Sequence, residues 1–207
     1  MQVPTRRTDL ALSLAVFVAW LVAAALSRHT GLWLALGGLS VALAAAVIVV
    51  DGSRLRALLS VRSRPIVGGL LAGALATLLT RPLYSVTARL VPGLSSDVAL
   101  LYGRLGATAP AWASLALVVI VVAEEIVWRG SVQGALQRRY GVGLGVLLAA
   151  ALYALALVPV GSPVLVLVAF ACGLLWSGLR AATASLTAPL IAHLLWDQVV
   201  LYLAPLQ

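Results

Sequence analysis

The sequence holds no lysine, one cysteine, two histidines and only six acidic residues, and each scarcity narrows what the chain can be. A single Cys172 excludes an internal disulfide and a thiolate metal cluster. It falls in the apolar run VLVLVAFACGLLW, where a small buried filler is its expected role. Charged residues make up 10% of the 207 positions while hydrophobic ones make up 63%, and mean hydropathy is +1.11. That balance excludes a soluble domain built on one core and describes a membrane bundle in contact with lipid. All fourteen basic residues are arginine, for a net charge of +8. In a membrane chain this excess reports topology and anionic headgroups. Basic and aromatic residues do not cluster as they would on a surface for nucleic acid, so no nucleic-acid partner is expected.

What is present is a succession of apolar runs near the roughly 20 residues that a bilayer requires. They are Leu10–Leu26, Leu32–Val50, Ile66–Leu79 with an extension, Ala111–Arg129, Val142–Val158, Pro163–Leu179 and Leu186–Leu203. Open strands cannot satisfy their backbone in lipid, so the expectation is an all-α polytopic bundle of about seven transmembrane helices. Residues 1–207 would then form a single integral-membrane domain. Arg6 and Arg7 before an apolar run ending in AAALS imitate a secretory signal, but the run is long and a second follows at once. A retained signal-anchor is the better reading. Arg6, Arg7, Arg54, Arg56, Arg62, Arg64, Arg138, Arg139 and Arg180 fall on one side of this arrangement, Arg28 and Arg104 on the other. The positive-inside rule then puts the N-terminus in the cytoplasm of a multi-pass cell-membrane protein, with a bacterial inner membrane as the expected setting. Pro82 disfavours helical geometry at Arg81, so the third span is expected to kink or stop there. LVPGLSSD reads as the one substantial exterior loop. Neither an internal repeat nor a low-complexity linker is visible.

Into this apolar background the stretch AEEIVWRG places Glu124 and Glu125, the chain's only glutamates. Ionisable groups at membrane depth cost several kcal/mol unless paired or facing a wet cavity. Glu125 and Arg129 are i,i+4 on one helix face and can neutralise each other. Glu124 points about 100° away, so its partner must come from another helix. The last span carries a second polar pair, His193 and Asp197, again i,i+4. Glu124 lies 14 residues before Arg138 and His193 lies 13 after Arg180. At about 1.5 Å per residue both sit roughly 20 Å from the Arg-rich face, so the acid and the imidazole can meet. If Gly130 breaks the helix, the site lies nearer the cytoplasm. The same acids also fit a small transporter-like bundle whose charges tie helices together, although a carrier would be expected to show repeat symmetry. His29, beside Arg28 at the end of the first span, reads as an interface residue.

The order EExxxR, then GLLWSGLRAATASLTAPLIAHLLWD, resembles the signatures of the CPBP family of intramembrane proteases. That family includes the type II CAAX prenyl endopeptidases and bacteriocin-processing or self-immunity proteins. The likeness covers about residues 111–200. It implies Glu124 as the catalytic carboxylate, with Glu125 and Arg129 as its supporting pair. His193 takes the place of the last-helix histidine, and Asp197 the place often held by asparagine. Asparagine donates to an oxyanion, whereas Asp197 does so only when protonated, so its expected task is to orient His193. The family's FxxxH motif falls on Tyr153 to Leu157, leaving leucine where the histidine belongs. Tyr153, Leu157 and Trp128 are therefore placed with substrate binding. Leucine neither shares a proton nor binds metal, so no metal or other cofactor is expected. The resemblance implies an endopeptidase acting on a membrane-anchored peptide or protein, with activity impaired by Leu157. A non-catalytic scaffold or immunity protein of the same architecture is the alternative.

Overall fold

The computed structural model describes residues 7–59, 62–105 and 110–206; Arg6 and the side chain of Arg7 lie outside the described residues. Among them the chain is helical throughout, without a strand, and the all-α polytopic class is what the structure has. Among the described residues nine α-helices run in order: α1 Arg7–Thr30, α2 Gly38–Leu58, α3 Ser63–Leu90, α4 Leu94–Leu105, α5 Pro110–Glu124, α6 Gln133–Tyr140, α7 Val142–Leu155, α8 Pro163–Thr183 and α9 Thr187–Gln198. Three wider π-helical stretches, Trp33–Gly37, Glu125–Val132 and Val199–Leu203, continue α-helices rather than interrupt them.

Five helices among the described residues are long and apolar enough to cross a membrane: Asp9–Thr30, Trp33–Leu58, Ser63–Leu90, Val142–Val160 and Pro163–Thr183. The segments expected as fourth and seventh spans take another form. Residues from Pro110 make a 15-residue α-helix that widens at Glu125, and Thr187–Leu203 is a shorter apolar helix. Leucines and valines of α1, α2 and α3 stand exposed around the outside, as lipid-facing side chains do, while Ser13, Ser27 and Ser40 turn inward.

Two expectations about the middle of the chain are corrected. The third span does not stop at Arg81; α3 is continuous for 28 residues with Pro82 inside it. A proline forfeits one backbone hydrogen bond, and a long apolar helix in lipid keeps the others because it has no better alternative. LVPGLSSD is likewise not an extended loop. Val91 closes α3, Gly93 turns with φ +85°, and α4 starts at Leu94. This helix buries Leu94 and Val98. It is pinned by the Tyr102 hydroxyl, which donates to the Val200 carbonyl at 2.6 Å. Burial pushes the Tyr102 phenol above its ordinary value, so it remains a donor.

Close approach of α3 and α9 rests on two glycines. A Cβ at Gly69 would lie 2.6 Å from the Ala188 carbonyl oxygen, and one at Gly73 would lie 2.9 Å from Ala192 Cα. Small residues thus let the two backbones touch. The arginines sort to the two ends. Arg54 and Arg138 both reach Asp9, at 3.3 and 2.9 Å, which gathers the start of α1, the end of α2 and the end of α6. At the other end Arg28 and Arg104 hydrogen-bond the consecutive carbonyls of Pro159 and Val160.

Candidate active site

The polar residues of AEEIVWRG occupy the junction of α5 with the π-helical stretch Glu125–Val132. The helix is not broken at Gly130; it runs on through the wide turns into α6. A Cβ at Gly130 would meet Leu55 Cδ2 at 2.6 Å, so glycine here admits α2 close to the site. Wide turns of this kind are concentrated at functional sites, because they re-aim side chains without ending the helix.

Glu125 and Arg129 are both about 1% exposed, and Arg129 Nη1 lies 3.4 Å from Glu125 Oε1. The same oxygen lies 2.9 Å from His193 Nδ1 of α9. His193 Nε2 faces Asp197 Oδ2 at 3.5 Å. With a carboxylate at each ring nitrogen, the imidazole can donate to both only when it carries two protons. Its ring lies on Trp176 of α8, 5.6 Å between centroids at 23°. Sequence reasoning did not single out Trp176, since its contact with His193 spans two helices.

Glu124 ends α5 and is half-buried. Its Oε2 accepts a hydrogen bond from the Tyr153 hydroxyl of α7 at 2.8 Å. The Tyr153 ring is covered by the Arg129 guanidinium, 4.7 Å from the centroid, and meets Trp128 edge-on at 5.3 Å. A desolvated cation over an aromatic face is worth about 2 kcal/mol or more. That contact helps to retain a guanidinium whose three nitrogens make no hydrogen bond among the described residues. Trp128 packs in turn against Trp20 of α1.

His193, Glu125, Arg129, Tyr153 and Glu124 therefore form one continuous run of contacts, contributed by α9, the π-helical stretch, α7 and α5. The expected pairing of Glu124 with His193 is corrected: the imidazole meets Glu125, and Glu124 meets a phenol. The reason is rotational. Consecutive residues on a helix face different neighbours, and here the α5 junction turns Glu125 to α9 and Glu124 to α7. Glu124 does find its partner on another helix, and Glu125 and Arg129 do meet. Leu157, just beyond the end of α7, is buried in the apolar core with Trp128 and Tyr153, as is Val160. No three His, Cys, Asp or Glu side chains group to hold a metal ion among the described residues.

Residues 106–199 match the family model described as Type II CAAX prenyl endopeptidase Rce1-like. No curated protein and no solved structure matches the chain. The matched segment takes in α5 to α9, so every residue in the run of contacts from Glu124 to His193 falls inside it. The part of the chain that builds this site is therefore similar to the type II CAAX prenyl endopeptidases of the Rce1-like family.

Proposed function

We propose that the chain is a glutamate-dependent intramembrane endopeptidase in which Glu124 takes a proton from water as that water attacks a peptide carbonyl. The observation that carries this reading is the Tyr153 hydrogen bond to Glu124 Oε2. It holds the carboxylate of a half-buried glutamate in one orientation, as a general base requires. The base must then return its proton to the leaving amine. The developing oxyanion needs a nearby donor, and the guanidinium of Arg129, about one turn on from Glu124 with its nitrogens free of hydrogen bonds among the described residues, is the candidate. Glu125 and Asp197 act by holding His193, each from one side of the ring.

The substrate is a membrane-anchored peptide or protein, cleaved near a C-terminal signal or leader, in a multi-pass cell-membrane enzyme with its Arg-rich end in the cytoplasm. Apolar surroundings and membrane depth favour a substrate that reaches the site through lipid. Leu157 contributes no proton-sharing group, so the wild-type chain is expected to turn over slowly.

Cleavage of lipid-anchored peptides in proteoliposomes tests this. Slow cleavage is expected from the wild type. Leu157→His should raise the rate about 10²–10⁴-fold, the usual contribution of a positioned acid–base group. Glu124→Gln should abolish cleavage in both backgrounds. Peptide binding with no cleavage by any variant would instead favour the non-catalytic scaffold, for which the burial of Leu157 is the argument.

A further inference from the structure

Beyond the Glu124 network, α6 and α8 bring two guanidinium groups together over a glycine. A Cβ at Gly134 would lie 3.2 Å from Arg138 Nη1 and 3.6 Å from Arg180 Nη2, so both groups crowd one point. Like charges this close repel unless an anion is shared between them. The acceptors already present do not provide that sharing. Arg138 Nη2 donates to Asp9 Oδ2 at 2.9 Å, but the other oxygen of Asp9 is engaged by Arg54. Arg180, only 8% exposed, donates through Nη1 to the neutral amide oxygen of Gln137. The Nε of each arginine is buried and has no hydrogen-bond partner among the described residues.

Both arginines stand in the last turn of their helices. The negative ends of those dipoles offset part of the repulsion, but they offer nothing to the two Nε donors. A guanidinium presents a planar fork of donors that matches the oxygens of a phosphate. Basic pockets between helices, at the ends where spans leave the apolar layer, are where anionic headgroups bind.

We propose that Arg138 and Arg180, converging over Gly134, form a binding site for a phosphate group, carried by an anionic lipid headgroup or free in solution. Gly134 belongs to the site because a methyl group there would occupy the point at which the two forks meet. This site is independent of the catalytic reading.

The test uses the purified full-length chain. Thermal midpoint and lipid retention in native mass spectrometry are compared in phosphatidylglycerol, in phosphatidylcholine, and in detergent with inorganic phosphate alone. Phosphatidylglycerol is expected to raise the midpoint above that in phosphatidylcholine and to remain bound. Arg138→Gln and Gly134→Ala should each weaken retention about tenfold, the effect of one charge-assisted contact. Stabilisation by inorganic phosphate at millimolar concentration would assign the site to free phosphate, and stabilisation by phosphatidylglycerol alone to a lipid. Arg180→Gln risks the fold because the side chain is buried; Arg138→Gln and Gly134→Ala keep the outcome readable. Arg56→Gln with Arg139→Gln removes two exposed charges from the same end and should leave retention unchanged. The proposal is overturned if neither lipid nor phosphate stabilises the wild type. Equal loss of retention in the Arg56/Arg139 double variant, or wild-type retention in both single variants, also overturns it.

Discussion

The phenol of Tyr153 has three neighbours of different kinds: the carboxylate of Glu124, the guanidinium over its face and the indole at its edge. Its hydroxyl and its ring therefore do separable work. Tyr153→Phe removes the donor to Glu124 and keeps the ring, and should cost about 1–2 kcal/mol. Tyr153→Ala also removes the cation–π contact and opens a cavity, for about 3–5 kcal/mol. Denaturant unfolding in detergent distinguishes the two; an unchanged Tyr153→Phe would mean that the hydrogen bond is absent, and equal losses that the ring contributes nothing. At this scale the i,i+4 pairs were legible in the sequence, because Glu125 with Arg129 and His193 with Asp197 depend only on helical spacing. The partner of each glutamate was not, since it depends on how α5 is rotated against α7 and α9.

Among the elements, the contact of α3 with α9 is the one most sensitive to volume. The Ala188 carbonyl stands where a side chain at Gly69 would begin, and backbone has no rotamer to escape into. Gly69→Ala is expected to destabilise the protein by about 1–3 kcal/mol through overpacking, measured as a lowered thermal midpoint. An unchanged midpoint would mean that α3 and α9 are free to separate. The stretches GGL and AGA of α3 stand in the sequence, but small residues are so frequent in this chain that they do not tell packed glycines from filler. The wide turns at Glu125–Val132 left no such trace. Their hydrogen-bond register is decided by neighbours: α2 approaching at Gly130, α9 drawing Glu125. The run through Pro82 and the helix in LVPGLSSD also went against local signals. Burial of Leu94 and Val98, with the Tyr102 anchor, prevailed over turn chemistry.

Across the whole molecule, charge separates the ends while the network from Glu124 to His193 lies between them. Arg139 and His29 are both exposed. They lie near opposite ends of a bundle whose first helix alone, at 24 residues, is about 36 Å long. With Cys172→Ser as background, Arg139→Cys should react with an impermeant maleimide only after the cells are opened, and His29→Cys should react in intact cells. The reverse pattern would invert the proposed orientation. Hydropathy and arginine placement are sums over local sequence, and they were enough for an all-α membrane bundle and for the sorting of Arg54 and Arg138 away from Arg28 and Arg104. The motif order EExxxR and HLLWD likewise marked the polar residues that converge. What required the assembled bundle was pairing: the imidazole on Glu125, the phenol on Glu124, two guanidiniums over Gly134. Such contacts join helices tens of residues apart, and a rotation of a few tens of degrees, set by packing along the full length of each helix, selects one partner over another.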